Sequence, residues 1–375
     1  MAMVFSLNGR YYSGHSEDKG DEVQAIYVIS TTPRAGKTGT CAAIILRARE
    51  RGLAAGYMKP IGTLPIRVGD VVVDEDCHRM QSLLGVEGEP RHVSPLMLTP
   101  QFVHAHLARP RTNCPEVVAG AFEACSEGRD LVVVEGLSYL HQGRWLGLSA
   151  ARVAKLIDAR VLLIAEFDGE SALDDILAAR DGLRDRLVGV ILNRVDASRL
   201  PLVNDSVITF LADGGVRVLG AVPEDEGLRG VTVEEVATRL QGRVVSGGDE
   251  LAATIGSFMV GAMGQRKALS FFKAKGDKAV ITGGDREDIQ LAALDTETVA
   301  LLLTGNQKPT KRVIAKATKK KVPIVTVDMD TMSTVERVEA LVTRARIHDE
   351  RRVNRMRRLL SDSVDLDALL DGLER

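Results

Sequence analysis

The stretch Ser30–Thr38, STTPRAGKT, places a glycine, a lysine and a hydroxyl residue where an apolar run gives way to a helical pattern. Successive backbone N–H groups in such a turn, with the N-terminus of the following helix, form a concave anion site. Gly36 lets the backbone approach a phosphate, Lys37 reaches the outer phosphates as a point charge, and the Thr38 hydroxyl can ligate Mg²⁺. The loop therefore predicts a site for a nucleotide, with ATP and Mg²⁺ as the expected cofactors.

This loop departs from the usual pattern GxxxxGK[ST], because Thr31 stands where the first glycine belongs. A chance GKT at a helix start is the alternative, but the apolar run before it and the helical pattern after it favour the nucleotide site. We expect Lys37 to be exposed in an open loop and to act on the transferred phosphoryl group. The predicted nucleotide contacts are Thr31, Thr32, Pro33, Arg34, Ala35, Gly36, Lys37, Thr38 and Gly39.

Three acidic residues are candidates to complete a magnesium site, since Mg²⁺ usually takes one or two carboxylates. Glu135 ends the strand-like run DLVVVEG, while Asp74 and Asp76 precede a helical pattern. An aspartate before a helix is also a common N-cap, which is the alternative for both. We predict Thr38, Glu135 and Asp76 as metal ligands. Lys59 follows a second apolar run and is the second catalytic candidate, facing a phosphate or a carboxylate, although lysines at strand ends are often merely solvated.

The histidines and cysteines predict no metal or redox site. His104 and His106 alternate as in a strand, with no acid or cysteine at ligand spacing, and we expect these two and His78 to be surface or structural histidines. The four cysteines are scattered without a CxxC pair, which indicates reduced thiols in a cytoplasmic protein.

A second glycine-rich turn, TGGDRED, follows another apolar run. The predicted second-site candidates are Thr282, Gly283, Gly284, Asp285 and Arg286. Asp285 can cap the helix that follows, and Arg286 can pair with an acid or a phosphate. The alternatives are an ordinary strand-to-helix turn, a second anion or small-molecule site, and an oligomer contact.

Short apolar runs alternate with helical patterns along most of the chain. Strands that are apolar on both faces predict a parallel sheet with helices on both sides, and ligands bind at the carboxyl ends of such strands. The fold class expected is α/β. The predicted division is a polar extension (1–24), a nucleotide-binding unit (25–222), a smaller α/β unit (223–335) and a basic helical tail (336–375). We expect TVEEVATRLQGRVVSG and ELAATIGSFMVGAM to be helices around a short strand.

The tail carries seven arginines: Arg344, Arg346, Arg351, Arg352, Arg355, Arg357 and Arg358. We expect a solvated helix whose apolar stripe packs on the protein or on a second subunit; a surface for an anionic partner is the alternative. A net charge of −2 and 4% aromatic residues argue against nucleic-acid binding. No apolar run approaches transmembrane length, so no membrane partner is expected.

Residues of about 25–222 resemble the dethiobiotin synthetase branch of the P-loop proteins. Five features of that branch occur in order, namely RAGKT, Lys59-Pro60, Asp76, the VEG of Val134–Gly136, and Asn193-Arg194. The resemblance implies that Asn193 and Arg194 contact the adenine. Residues of about 223–335 resemble the DRTGG domain, whose motif appears here as TGGDR. Together they resemble the N-terminal region of long phosphotransacetylases.

This resemblance implies a regulatory or sensory protein that binds ATP and Mg²⁺, forms homo-oligomers and takes a second ligand or partner at the DRTGG-like unit. The residues after 335 lack a counterpart of the acetyl-transferring domain, so we do not expect a phosphotransacetylase. VEGLSYLHQG lacks the AGG of dethiobiotin synthetase and KPIGTLP lacks its QTG, so the organic substrate carries over less well than the nucleotide.

The alternative function is an ATP-dependent ligase that activates a carboxylate as a mixed anhydride. Lys37 and Mg²⁺ would stabilise the transferred phosphoryl group while Lys59 positions the acid. A slow ATPase switch of the partitioning type is disfavoured, because Thr32 stands where those loops carry a second lysine.

Overall fold

The computed structural model describes residues 23–109, 112–225, 228, 230–261, 265–343 and 350–373. Most of the predicted N-terminal extension, residues 1–22, lies outside this range, as do Arg344 and Arg346 of the tail. Within it, no helix is long and apolar enough to cross a membrane.

The strands and helices of the first part of the chain are, in order, β1 Gln24–Ser30, α1 Lys37–Glu50, β2 Ala55–Met58, β3 Ile61–Gly62, β4 Pro65–Val68, β5 Val71–Asp74, α2 Glu75–Leu84, α3 Pro90–Val93, β6 Leu96–Met97, α4 Pro100–Ala108, α5 Cys114–Ser126, β7 Leu131–Glu135, α6 Ala150–Leu156, β8 Arg160–Glu166, α7 Ser171–Leu183, β9 Leu187–Val195, α8 Leu200–Leu202, α9 Ile208–Asp213 and β10 Val218–Pro223. Those of the remainder are β11 Val231–Thr232, α10 Val233–Arg239, β12 Arg243–Ser246, β13 Thr254–Ile255, β14 Ser257–Val260, α11 Gln265–Phe272, β15 Lys278–Gly283, α12 Glu287–Leu294, β16 Thr298–Thr304, α13 Lys311–Lys320, β17 Ile324–Thr326, α14 Thr331–Thr343, α15 Glu350–Ser363 and α16 Leu366–Asp371.

The first sheet is parallel, with the strand order β10-β9-β8-β1-β7-β2. Its central strands are buried on both faces, because side chains that alternate along each strand enter two separate apolar clusters. The predicted fold class, a P-loop-type parallel sheet covered by helices, is therefore confirmed.

The strand order also decides where the chemistry collects. From β1 the chain moves to β2 and β7 on one side, and it later crosses to β8, β9 and β10 on the other. Ligands of open α/β sheets bind at such a switch point, outside the carboxyl ends of the strands. The loop Ser30–Thr38 leaves β1 at this point, with the end of β7 on one side and the ends of β8 and β9 on the other.

The second sheet has the order β12-β17-β16-β15-β14, with β12 antiparallel and the other four strands parallel. It carries an apolar cluster on each face. The helix expected in ELAATIGSFMVGAM is wrong, because Thr254–Ile255 and Ser257–Val260 are strands. Hydrogen bonding of β14 along β15 overrides the local helical pattern.

The chain returns from the second sheet to the first. Side chains of α15 and α16, among them Val353, Met356 and Leu360, enter the cluster that holds α1 against the first sheet. Val364 bridges to Gly220 of β10, and Asp365 donates its N–H to the carbonyl of Leu219. The apolar stripe predicted in the tail therefore packs on α1 and the first sheet.

Two local expectations need correction. His104 and His106 lie on the helix α4, which begins at Pro100 after an N-cap at Thr99, so they do not share a face as they would on a strand. Arg286, and not Asp285, occupies the N-cap position of α12, which has no side-chain cap.

Candidate functional site

The phosphate loop is tight at Gly36. This residue has φ +100°, and a Cβ built there would lie 2.7 Å from Nδ2 of Asn193. The Asn193 amide donates a hydrogen bond of 2.7 Å to the carbonyl of Ala35 inside the loop. Glycine is therefore needed both for its backbone conformation and for the space that Asn193 takes. Arg34 also has a positive φ, of 62°, and is exposed.

Lys37 is buried, with 8% of its surface exposed, so the expectation of an exposed lysine is wrong. Its ammonium folds back along the loop and donates a hydrogen bond of 2.9 Å to Oγ of Ser30. The same hydroxyl lies close to the carbonyl oxygens of Thr32 and Ser138, at 2.8 and 3.1 Å. Lys37 nevertheless lines the cavity above the loop, where its charge can meet an anion.

Glu135 lies beside the loop, at the end of β7. One of its carboxylate oxygens accepts a hydrogen bond of 2.9 Å from the Thr38 hydroxyl, and the other accepts one of 2.8 Å from the hydroxyl of Tyr57. Only 3% of Glu135 is exposed. The register places it here, because Glu135, the last residue of β7, pairs with Val28, two residues before the end of β1.

Lys59 and two aspartates form a second buried group near Glu135. The Lys59 ammonium is 2.9 Å from Oδ1 of Asp74 and 2.6 Å from Oδ2 of Asp76. Asp74 is the N-cap of α2 and accepts from the backbone N–H groups of Asp76 and Cys77, with further bonds from Thr63 and Leu64. Asp74 is therefore a structural cap, as its alternative foresaw, whereas Asp76 lines the cavity.

These buried charged groups shift the pKa values of one another. Burial alone lowers the pKa of Lys59, but the carboxylates of Asp76, Glu135 and Asp74 outweigh it and raise the pKa above its ordinary value. Burial raises the pKa of Glu135. The charge of Asp76 raises it further, while the charges of Lys59 and Lys37 lower it. Burial, followed by the charge of Glu135, raises the pKa of Tyr57, which therefore stays protonated as a donor.

The donor set beside the loop is a hydroxyl and two carboxylates: Thr38, Glu135 and Asp76. Hard oxygen donors of this kind suit Mg²⁺, which keeps several waters and takes phosphate oxygens instead of a full protein cage. Within the described ranges, no cluster of three or more His, Cys, Asp or Glu side chains is placed to hold a metal. The residues therefore fit a magnesium ion shared with a phosphate ligand.

Asn193 and Arg194 lie among the last three residues of β9, on the opposite side of the loop. Arg194 has φ 55° and its guanidinium lies 3.4 Å from Oε1 of Glu166, while Thr32 donates to the other oxygen of Glu166 at 3.2 Å. Glu166, at the end of β8, thus connects the loop to β9. Both predicted base-contacting residues line the cavity.

The cavity above the loop has a volume of about 410 Å³. Thr31, Thr32, Pro33 and Ala35 do not line it, whereas Arg34, Gly36, Lys37, Thr38 and Gly39 do. Its apolar lining includes Leu98, Leu137 and Trp145 on the side of Lys59. On the side of Asn193 it includes Val222, Pro223, Leu228 and Met356, together with the carboxylates of Glu224 and Asp225. One cavity therefore joins the predicted phosphate, metal and base contacts.

The second-site candidates lie apart from this cavity, at the end of β15. The Thr282 hydroxyl donates to the carbonyl of Gly261, and the Gly284 N–H donates to that of Thr304. A Cβ on Gly284 would lie 2.6 Å from the Gln307 carbonyl, so this turn requires glycine. Arg286 contacts Asp288 at 3.2 Å, which agrees with the predicted acid pair.

Among the residues that the structure describes, no histidine or cysteine takes part in the cavity wall. His106 stacks on Phe102 and meets the edge of Trp145, His104 is exposed and His78 is half-buried. Cys41 and Cys77 are buried, and burial raises the pKa of both thiols.

Three contributors were missed from the sequence. Tyr57 is a hydroxyl in an otherwise apolar buried strand, which was a usable signal. Glu166 ends a predicted strand, as Glu135 does, and was equally visible. Met356 belongs to the apolar stripe of the tail, but nothing in the sequence indicates that this stripe reaches the cavity.

Two family models match the chain. A model described as an AAA domain matches residues 24–232, and a model described as a DRTGG domain matches residues 235–341. The first alone covers more than half of the chain.

The curated relatives agree with this pairing. The chain is 24% identical over 370 residues to the phosphate acetyltransferase of Nitrosomonas europaea, covering 93% of this chain and 51% of that protein. It is also 24% identical over 204 residues to the ATP-dependent dethiobiotin synthetase BioD of Methanococcus vannielii, covering 52% of this chain and 92% of that protein. The chain thus spans about half the length of the phosphate acetyltransferases it matches.

Two solved structures are similar at low overall superposition. The CBS and DRTGG domains of the regulatory region of Clostridium perfringens pyrophosphatase, complexed with the activator diadenosine tetraphosphate, match with 16% identity and a TM-score of 0.28, over 42% of this chain and 76% of that one. The signal recognition particle receptor FtsY of Elizabethkingia anophelis, in complex with GDP, matches with 14% identity and a TM-score of 0.36, over 55% of this chain and 59% of that one.

The family matches over residues 24–232 and 235–341 decide the assignment. The chain belongs to the dethiobiotin-synthetase-like AAA-domain family of P-loop proteins, and it joins that domain to a DRTGG domain, as in the N-terminal region of long phosphotransacetylases.

Proposed function

We propose that this protein binds ATP with Mg²⁺ and serves as a regulatory or sensory protein related to the N-terminal region of phosphate acetyltransferases. One observation carries the proposal: the loop of Gly36, Lys37 and Thr38 opens into the same cavity as the buried carboxylates of Glu135 and Asp76. A phosphate chain and a magnesium ion are the ligands that this combination of charges suits.

Each group has a role in this proposal. The loop N–H groups and Lys37 hold the phosphates. Thr38, Glu135 and Asp76 hold the magnesium ion, which supplies charge neutralisation to the phosphates when bound. Tyr57 orients Glu135 through its hydrogen bond, and Asn193 orients the loop through Ala35.

The arrangement of Lys59 favours binding over turnover. A lysine that positions a carboxylate substrate needs a free ammonium, but Lys59 is 96% covered between Asp74 and Asp76. Its charge offsets those acids, so that the site keeps a balance of charge when the nucleotide is absent. We propose that the DRTGG domain takes a second ligand, or a partner subunit in a homo-oligomer, at Thr282–Arg286.

An ATP-dependent ligase is the second candidate, because the cavity continues past Lys59. There the walls formed by Leu98, Leu137 and Trp145 are apolar and offer room for an organic acid beside the outer phosphate. In that case Lys59 would break its contact with Asp76, and its ammonium would bind the substrate carboxylate.

The two candidates separate when the pure protein is mixed with Mg·ATP and no other substrate. Binding heat and phosphate release are recorded together. Binding without steady phosphate release supports the sensor, whereas ATP use that appears only when an organic acid is added supports the ligase. A protein that neither binds nor hydrolyses ATP contradicts both.

A further inference from the structure

The helix α15 follows the DRTGG domain in the chain, yet it reaches the cavity of the P-loop domain. Met356 of this helix lines the cavity, together with the loop residue Gly36 and with Asn193. The Cβ position built on Gly36 is 3.4 Å from Cε of Met356 and 2.7 Å from Nδ2 of Asn193. Met356 therefore contacts the phosphate loop on the side of Asn193.

The strand order shows which part of a nucleotide lies on that side. Lys59 and Glu135, with the charged groups, stand at the ends of β2 and β7, while Asn193 and Pro223 stand at the ends of β9 and β10. With phosphates on the loop at β1, the metal lies toward β7. The rest of the nucleotide must then extend toward β9 and β10.

The wall on that side has the character of a base subsite. Val222, Pro223, Leu228 and Met356 are apolar, while Asn193, Glu224 and Asp225 supply the polar groups. A flat aromatic base gains from such walls, and a thioether makes favourable contacts with aromatic rings and adapts to their shape.

Two arginines hold α15 in this position. Arg355 makes a two-pronged contact with Asp225, at 2.6 and 2.9 Å, and Asp225 lines the same cavity, two residues after Pro223. Arg352, which is 5% exposed, lies 3.1 Å from both carboxylate oxygens of Glu235 in α10 and also donates to the carbonyl of Gly230. The same helix is thus tied to the base side of the cavity and to α10.

We propose that α15 forms one wall of the base subsite and that Met356 is its contact with the nucleobase. This inference rests on the proposed nucleotide binding and adds that a segment beyond the DRTGG domain decides how the base is held. A nucleotide consequently has affinity for the arrangement in which α15 is docked.

The test compares two ligands that share their phosphates and differ in the base, namely Mg·ATP and Mg·tripolyphosphate. Affinities are measured by calorimetry for the wild type, Met356→Ala, Met356→Leu and Leu359→Ala. Leu359 is the matched control, because it lies on the same helix, packs on the same apolar cluster and does not line the cavity.

We expect Met356→Ala to weaken the affinity for ATP by about tenfold, the effect of losing the apolar contact of one side chain. The affinity for tripolyphosphate should stay within about twofold of the wild-type value. Met356→Leu keeps the volume and should stay near the wild type for both ligands. Leu359→Ala should lower the melting temperature without changing the affinity for ATP relative to that for tripolyphosphate.

Three results overturn the inference. They are an unchanged ATP affinity in Met356→Ala, an equal loss of affinity for both ligands in that variant, and a selective loss of ATP affinity in Leu359→Ala. If Met356→Ala fails to fold, Met356→Gln is tested in its place. This variant keeps the length of the side chain, and the inference requires that it too lose affinity for ATP and not for tripolyphosphate. Wild-type protein that binds neither ligand contradicts the nucleotide function itself. Wild-type protein that binds tripolyphosphate as tightly as ATP leaves the phosphate loop standing and overturns only the base subsite.

Discussion

Asn193 donates a hydrogen bond of 2.7 Å to the carbonyl of Ala35 and thereby fastens the phosphate loop to the end of β9, across 158 residues of sequence. The contact leaves no space for a side chain at Gly36, where the backbone is also in the left-handed region.

Gly36→Ala should therefore lose both stability and nucleotide affinity. The new Cβ would lie 2.7 Å from Nδ2 of Asn193, so the loop or the amide must move. We expect a loss of about 1–3 kcal/mol in the free energy of unfolding and a clear rise in the Kd for Mg·ATP. Gly52→Ala is the control, because Gly52 has φ +84° in open space and should lose stability alone. Normal affinity in Gly36→Ala would show that the loop tolerates displacement.

Lys37→Ala should weaken Mg·ATP by about 10–100-fold, the effect of removing a charged hydrogen-bond donor. The ammonium contacts Ser30 within the loop itself, so we expect the fold to survive the change. Calorimetry checks the affinity and thermal unfolding checks the fold. Lys155→Ala, on the exposed side of α6, removes the same charge and should bind normally. Equal affinities in the two variants would contradict the loop assignment.

Asp74 and Asp76 should differ in their effect on magnesium although both hold Lys59. Asp76→Asn should remove most of the difference between the ATP affinities measured with and without Mg²⁺, as should Glu135→Gln. Asp74→Asn should keep that difference and instead cost about 1–3 kcal/mol of stability, because Asp74 caps α2 and is fully buried. Titrations with MgCl₂ and with EDTA make the comparison. A retained magnesium effect in both Asp76→Asn and Glu135→Gln would contradict the metal site.

Docking of the tail should depend on pH through Asp367. Its hydrogen bonds with Arg47 lower its pKa, with the charge of Arg51 acting in the same direction. A carboxyl whose pKa is lower in the folded state adds stability above its unfolded pKa of about 3.8 and loses that contribution as the pH falls through the lowered value.

The melting temperature of Asp367→Asn should therefore lie below that of the wild type at pH 7 and at pH 5, and the two should converge toward pH 2. High salt should reduce the difference as well, since half of the Asp367 side chain is exposed to solvent. Asp362→Asn removes an exposed aspartate from α15, for which the described residues supply no ion-pair partner, and serves as the control. A difference between Asp367→Asn and wild type that is independent of pH would assign the effect to packing.

The sequence was most informative where local pattern and chemistry coincide. Apolar runs such as Leu131–Glu135 are strands because both faces are buried, and the polar residue that ends each run marks the carboxyl edge. That reasoning placed Glu135, Asn193 and the loop on one edge, and the sheet order then brought them together. The assignment of roles to these residues stays a prediction until ligands are measured.

What the sequence could not give depends on contacts between distant segments. The burial of Lys37 follows from the Ser30 hydroxyl and the closing of the loop, not from the motif. Helical spacing in ELAATIGSFMVGAM gave way to pairing with β15, a partner about twenty residues further on. The stripe of Val353, Met356 and Leu360 predicted an amphipathic helix but not the surface that accepts it.

The return of α15 and α16 to the first sheet also sets the order in which the protein can be made. The P-loop domain leaves the ribosome with the surface of α1 and β10 that these helices cover still exposed, and the DRTGG domain is synthesised in between. Until residues 353–370 emerge, an apolar surface of the P-loop domain stays open to chaperones or to other chains. A fragment designed to end after β10 would keep that surface permanently, whereas grafting Glu350–Asp371 through a short linker should restore its solubility.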